Sequence, residues 1–304
     1  LLTFVALKMI CEMEKKVKQE IKNVAASQVP KNILRTSKTL QFFSPKLASL
    51  FASKIFTTPI KHKLPNREAS MYDEAIKTPL LIPEIKKEVV VYEYGDNTDN
   101  QKKILLVHGW SGRGTQLFKF ADAFIAQGFS VISFDAPGHG DAKANTAILT
   151  DFIASILYIQ QKYGPFEVAV GHSLGGMAML NSVPRGLNVT KMAVIGSADV
   201  VKDVIDEFIA AIGLKGKIAN IMEKLFEKRT NTPMAEYSSY ISAQRITIPV
   251  LVIHDENDAE VSIDCAHHIN QNLQNGDLYI TKGLGHRKIL GSTEVIAKAV
   301  DFLK

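Results

Sequence analysis

Cysteine is nearly absent from this sequence: two residues in 304, Cys11 and Cys265, close to opposite ends. A pair so widely separated makes no disulfide framework, and without a C-x-x-C pair there is no thiolate seat for a metal. Reduced structural thiols and a cytoplasmic location are the expectation. Long apolar runs are also missing, since none reaches the roughly 18–20 residues of a membrane-spanning helix. Internal repeats and low-complexity tracts are lacking too, which excludes solenoid and fibrous architectures. Acidic residues are scarce in one region only. Residues 1–67 carry 13 Lys and Arg against 3 Glu, whereas the remainder carries 23 against 28 acids. The net charge of +5 therefore belongs to the N-terminal segment, and the rest of the chain is mildly acidic. Such a segment is either a solvated set of lysines on helices packed against the body or a weak contact for an anionic membrane surface. The second reading would make the protein peripheral to a membrane. No nucleic-acid-binding motif accompanies the lysines, so that class of partner is set aside. The opening Leu1–Cys11 stretch is apolar, but it has neither the basic flank nor the small-residue cleavage site of a secretory signal. A trimmed N-terminus accounts for it equally well.

What is present is an ordinary globular composition, with 46% apolar and 22% charged residues, enough to bury a large core. Residues 1–85 read as a helical and irregular appendage. Leu47, Leu50, Phe51 and Ile55 fall at helical spacing, and Pro59, Pro65, Pro79 and Pro83 then break the stretch into turns and extended pieces. From residue 86 the period changes. Strands are expected at 88–94, 103–108, 130–134, 166–170, 191–195, 248–254 and 277–280. Helical stretches alternate with them at about 115–127, 145–162, 174–182, 262–273 and from 293 onward. Val/Ile/Leu-rich strands joined by helical crossovers imply a mostly parallel, twisted sheet with helices on both faces. Between about 199 and 247 the rhythm fails. Two helical segments, 200–214 and 218–226, fill this interval and are expected to form a helical cap inserted before the next strand, above the end where open α/β sheets bind ligands. Its apolar side chains, Phe208, Ile209, Ile212, Ile218, Ile221, Leu225 and Phe226, would either line an acyl pocket or simply seat the cap helices.

The strongest chemical signal is Gly171-His172-Ser173-Leu174-Gly175, set between an expected strand and an expected helix. A G-x-S-x-G turn needs glycines beside the serine because the nucleophile occupies a strained, sharp reversal where larger side chains collide. The turn lifts the hydroxyl to the amino end of the following helix, where free N–H groups favour negative charge. A serine hydroxyl is a weak nucleophile and requires a base. For a nucleophile on such a turn, the acid and then the histidine follow along the chain. Three histidines qualify. His267 and His268 lie in a helical stretch from which a side chain does not readily reach the sheet top, whereas His286 follows Gly283-Leu284-Gly285 in a loop after a strand. His286 is the expected base. The acid is sought in the turn after the 248–254 strand, which offers Asp255, Glu256 and Asp258. Asp258, a turn beyond the strand, can point back to the histidine. Asp255 is better placed to shape the turn, and Asp199 is a minor competitor. Backbone N–H groups of Leu174 and Trp110 are the expected oxyanion donors. The Trp110 indole either walls the pocket or anchors structure.

These residues resemble the α/β-hydrolase fold family, in particular bacterial serine esterase and lipase-like members with a small helical cap. The resemblance spans about 88–304 and rests on His108-Gly109-Trp110, Asp135-Ala136-Pro137-Gly138-His139-Gly140, Gly171–Gly176, Asp258 and Gly283–His286. It implies cleavage of an ester-type acyl substrate through an acyl-enzyme on Ser173, with neither metal nor organic cofactor, and a structural role for His139. Thioesterase, C–C hydrolase, perhydrolase and acyltransferase chemistry would use the same triad, and a non-catalytic binding protein is a more distant reading. The sequence departs from the family pattern in two places: Asp255 stands where a Gly is common, and Asp141-Ala142 where a Ser is common.

Overall fold

The computed structural model describes residues 29–96 and 101–304, which divide into two compact units. The larger comprises 57–201 and 235–304 and is built on one eight-stranded sheet. Its strands are β1 (Ile76–Ile82), β2 (Lys87–Tyr94), β3 (Lys103–Val107), β4 (Ser130–Asp135), β5 (Val168–His172), β6 (Lys191–Ile195), β7 (Val250–Asp255) and β8 (Gly276–Thr281). Their spatial order is β1-β2-β4-β3-β5-β6-β7-β8. The β1–β2 and β2–β4 pairings are antiparallel, and every pairing from β4 to β8 is parallel.

Strand side chains alternate between faces, so each strand feeds two cores. On one face Val89, Val91, Leu105, Val107, Ile132, Phe134, Ala169, Val194 and Val252 are buried with residues of three helices. These are α5 (Leu149–Tyr163), α6 (Leu174–Ser182) and α10 (Ile263–Asn272). On the other face Val90, Tyr92, Ile104, Leu106, Val131, Val170, Ile195 and Ile253 pack with α4 (Phe118–Ile125) and α12 (Thr293–Leu303). β3 to β7 are buried on both faces, which is why they read as continuous apolar runs. Three short helices, α3 (Ala69–Glu74), α9 (Ser239–Ala243) and α11 (Gly285–Lys288), complete this unit. No helix among the described residues is long and apolar enough to cross a membrane.

The second unit joins described residues 29–56 to 202–234. It contains α1 (Lys31–Phe43), α2 (Pro45–Phe56), nearly all of α7 (Val201–Ala211) and α8 (Gly216–Thr230). Phe56 of α2 is its hub: its ring lies 5.0 Å from Phe208 and 6.0 Å from Phe226, centroid to centroid. The Gln41 side-chain oxygen accepts from Lys215 N–H at 2.7 Å.

Two boundaries differ from the sequence expectation. The appendage does not extend to residue 85, because β1 at 76–82 is a full member of the sheet. Nor does the cap run from 199 to 247. Lys202–Met234 clusters with 29–56, and Ser239–Ala243 belongs to the sheet unit. Phe208 and Phe226 accordingly seat helices of their own unit around Phe56. Cys11 and the Leu1–Cys11 stretch lie outside the described residues.

Candidate active site

β5 ends at His172, and α6 begins at Leu174, so one residue, Ser173, makes the whole reversal. Its backbone sits at φ 53°, ψ −120°, a region L-residues rarely occupy. Such strain costs of order 1–3 kcal/mol and persists only where the surroundings enforce it. Here the Ser173 N–H donates to the Ile195 carbonyl at the end of β6, at 2.8 Å, and its carbonyl accepts from Met177 N–H in α6. Gly175 allows the helix to come this close: a Cβ there would lie 2.4 Å from the Val107 carbonyl oxygen and 2.5 Å from that of His108. The loop after β3 is equally tight. A Cβ on Gly109 would stand 3.0 Å from Ser173 Cβ, so the His108-Gly109-Trp110 turn lies directly against the serine.

The candidate acid and base, Asp258 and His286, come from the turns after β7 and β8. Asp258 Oδ2 accepts from His286 Nδ1 at 2.6 Å. Asp258 Oδ1 accepts from the Glu260 and Val261 N–H groups at 2.8 and 2.9 Å. Both side chains are almost fully buried. Burial alone would raise the Asp258 carboxyl, but the His286 hydrogen bond and charge, with the two backbone donors, outweigh it and hold the group below the usual carboxylate range. Asp258 is thus an anion aimed at one imidazole nitrogen, which fixes the tautomer and leaves Nε2 as the proton acceptor. His254 adds a second imidazole, with Nε2 donating to Val261 O at 3.0 Å and lying 3.4 Å from Asp258 Oδ2.

Gly196 connects the two halves. It follows Ile195, the residue holding Ser173 N–H, and has φ +58°. A Cβ there would meet His286 Cε1 and Nδ1 at 3.2 Å. His172, the residue before the serine, donates from Nε2 to the His286 carbonyl at 3.0 Å, and the two rings are 4.7 Å apart. Burial and the neighbouring His286 push the His172 imidazole down to about 3, so this ring stays neutral and cannot compete as a base. The described structure shows no hydrogen bond from Ser173 Oγ to His286.

Asp255 is wholly devoted to the base-bearing loop. Its Oδ1 accepts from Asn257 N–H and Gly285 N–H, both at 2.9 Å. Its Oδ2 accepts from Thr281 Oγ1 at 2.8 Å and Leu284 N–H at 3.0 Å. Burial works against ionisation, but these four donors prevail and lower the carboxyl. The departure from the family's Gly thus places an anion under the residues that carry His286.

Other expectations resolve as follows. His286 lies in the four-residue helix α11 rather than an open loop. His268 does reach beyond its helix: its Nδ1 bonds Asp199 Oδ2, and its ring stacks 4.7 Å from Tyr240. Asp199 also accepts from Tyr240 N–H, so it anchors α9 and does not serve His286. The Trp110 ring packs edge-on against His139 at 5.1 Å and joins the core on that face, which is the anchoring role. Among the described residues neither Trp110 N–H nor Leu174 N–H donates to a protein acceptor. His108 donates from Nδ1 to Gly109 O at 2.7 Å and accepts from Ala136 N–H on Nε2 at 3.0 Å, tying two active-site loops together. Sequence reasoning missed the supporting parts played by His172, Gly196 and His254. The signal for His172 was its place inside G-x-S-x-G. The other two reveal themselves only once β6 and β7 are neighbours.

A family model described as the alpha/beta hydrolase family matches residues 104–290, well over half of the chain. The chain belongs to the α/β-hydrolase family. Solved structures agree on the fold. An esterase from Exiguobacterium antarcticum superposes with a TM-score of 0.57 at 16% identity, covering 75% of this chain and 99% of that one. A bromoperoxidase from Bacillus anthracis gives 0.57 at 15%, covering 75% and 99%. An esterase from Rhodococcus sp. ECU1013 gives 0.55 at 16%, covering 76% and 98%. A search of curated proteins finds no match. Identities this low speak for fold alone, and the α/β-hydrolase fold carries several chemistries.

Proposed function

We infer that this α/β-hydrolase is a serine hydrolase that cleaves an ester-type acyl substrate, in the manner of a carboxylesterase. The observation that carries the reading is Ser173 held at φ 53° on the β5–α6 turn, directly after His172, whose ring lies 4.7 Å from the His286 imidazole that a buried Asp258 orients. A binding protein has no use for a strained serine beside an oriented base. In this reading His286 Nε2 takes the Ser173 proton as Oγ attacks the acyl carbonyl. The Trp110 and Leu174 N–H groups receive the oxyanion, each worth about 2.7–4 kcal/mol in comparable sites. His286 then returns the proton to the leaving alcohol, and water clears the acyl-enzyme by the same steps in reverse.

The test is reaction of the purified protein with a fluorophosphonate probe, with the labelled residue located by mass spectrometry. The expected result is a single adduct on Ser173, abolished in Ser173→Ala and at least ~100-fold slower in His286→Ala. Hydrolysis of p-nitrophenyl acetate and butyrate should follow the same pattern. A folded wild-type protein that takes up no probe and hydrolyses neither ester would overturn the assignment.

A further inference from the structure

Outside the catalytic machinery, the most unusual surface is the corner between α1 and α2. Ser44 alone separates the two helices, which pack on each other. At this corner Phe42 and Phe43 are 84% and 76% exposed, and along α2 Leu47 and Leu50 are 51% and 47% exposed. Rings this large are rarely left in water side by side, and here they touch edge-on at 5.3 Å. The charged residues of α1 and α2 are all cationic. At about 100° per residue, Lys31, Arg35 and Lys38 fall on the same stripe of α1 as Phe42, and Lys46 falls beside Leu50 on α2. All four cations are exposed. Residues 21–67 contain no Asp or Glu at all, while carrying seven Lys and two Arg.

We propose that this corner is a contact surface for an anionic lipid bilayer, with Phe42, Phe43, Leu47 and Leu50 entering the headgroup boundary while the lysines and Arg35 meet lipid phosphates. Exposed large apolar groups flanked by cations on a helical surface are the pattern of helices that lie in a membrane interface. A corner of reversing chain presents these rings to a plane, whereas a protein partner would need a groove to receive them. Each lysine near an anionic surface contributes about 1 kcal/mol, or roughly fivefold in affinity. Several such contacts supplement the two rings, and together they give reversible, salt-sensitive binding. The surface shares no residue with the Ser173 site, so the inference stands whether or not the acyl chemistry does.

Flotation of the full chain with vesicles tests it, using 70:30 phosphatidylcholine:phosphatidylglycerol beside pure phosphatidylcholine at 50 mM and 500 mM salt. Wild type should float with the anionic vesicles at low salt, and not with the neutral ones or at high salt. Phe42→Ser/Phe43→Ser should weaken binding at least tenfold, and Lys38→Glu/Lys46→Glu at least ~25-fold. Because these side chains are exposed, circular dichroism melting of both variants should stay within about 3 °C of wild type. Three results would overturn the proposal. The first is no flotation with anionic vesicles, or flotation that both double variants leave unchanged. The second is a melting loss in Phe42→Ser/Phe43→Ser that accompanies lost binding, which would place the rings inside the folded chain. The third is sedimentation of wild type as a dimer that this variant dissociates, which would give the surface to a second copy.

Discussion

Two aspartates three positions apart, Asp255 and Asp258, should respond in opposite ways to the same substitution by Asn. In Asp258→Asn the amide oxygen can still accept from Glu260 and Val261 N–H, so the turn is kept. The amide nitrogen then faces His286 Nδ1, which must accept rather than donate, and the proton moves to Nε2. The base is thereby disabled at little cost in stability, about 1 kcal/mol, while activity falls by about 10⁴, as tautomer reversal does in other triads. Asp255→Asn fails differently. Its carboxylate takes two donors on each oxygen, and an amide can serve only one of the two pairs. Whichever way it turns, at least one backbone N–H loses its acceptor, costing about 1–3 kcal/mol, and the remaining bonds lose their charge assistance. A total of about 2–4 kcal/mol follows, which for a domain of this size lowers the melting temperature by roughly 5–15 °C. Activity at 25 °C should fall only about tenfold, as the His286 loop loosens. The assay is kcat/KM on p-nitrophenyl butyrate beside urea unfolding monitored at Trp110. The reasoning is refuted if Asp255→Asn is the more stable and less active of the two.

Acid should unfold this protein early. Burial drives the His172 and His139 imidazoles down to about 3 and 4, and holds His108 well below its usual range, so all three stay neutral in the fold. The unfolded chain binds those protons below pH ~6.5, so stability is lost as pH falls through that value, by about 2 kcal/mol per histidine at pH 5. Burial also lowers the His254 imidazole, which adds to the loss, and raises the Asp135 and Glu68 carboxyls, which acts in the opposite sense, so the net change is on the order of 6 kcal/mol. Urea unfolding at pH 7.5 and 5.0 measures the difference, and equal stability at the two pH values would contradict it. Ser173→Gly should abolish probe labelling yet raise stability by about 1 kcal/mol, because glycine tolerates the turn's backbone, while Ser173→Ala should give no such gain. Calorimetry of the two variants separates them, and equal melting temperatures would mean the turn holds no relievable strain.

Much of this arrangement was legible because the Ser173 turn carries its own context. The Val/Ile-rich run before Ser173 and the small residues after it give strand, reversal and helix without any distant information. β1 was not legible, for a physical reason. Pro79 stands in its middle, and a proline inside an apolar run argues against a strand unless that strand is at an edge. β1 is an edge strand, with Pro79 opposite Val90 on β2, and the sequence cannot tell edge from centre. The union of 29–56 with 202–234 escaped for another reason: helical periodicity marks an apolar face but not the partner that covers it. The Asp199–His268 pair escaped likewise, since it joins the end of β6 to a helix seventy residues later.

The order of strands in the sheet also sets an order in time. Ser173 follows the central strand β5, and β6, β7 and β8 are then laid beside it one after another in chain order. Asp258 and His286 arrive only with the last two. At about 5–20 residues per second, the synthesising ribosome delivers His286 roughly 6–23 s after Ser173. During that interval the serine already has its helix but lacks the imidazole that the proposed mechanism gives it as base. The proposed reactivity arises in the growing chain only when the sheet's far edge closes, after the segments that fold around it have been made.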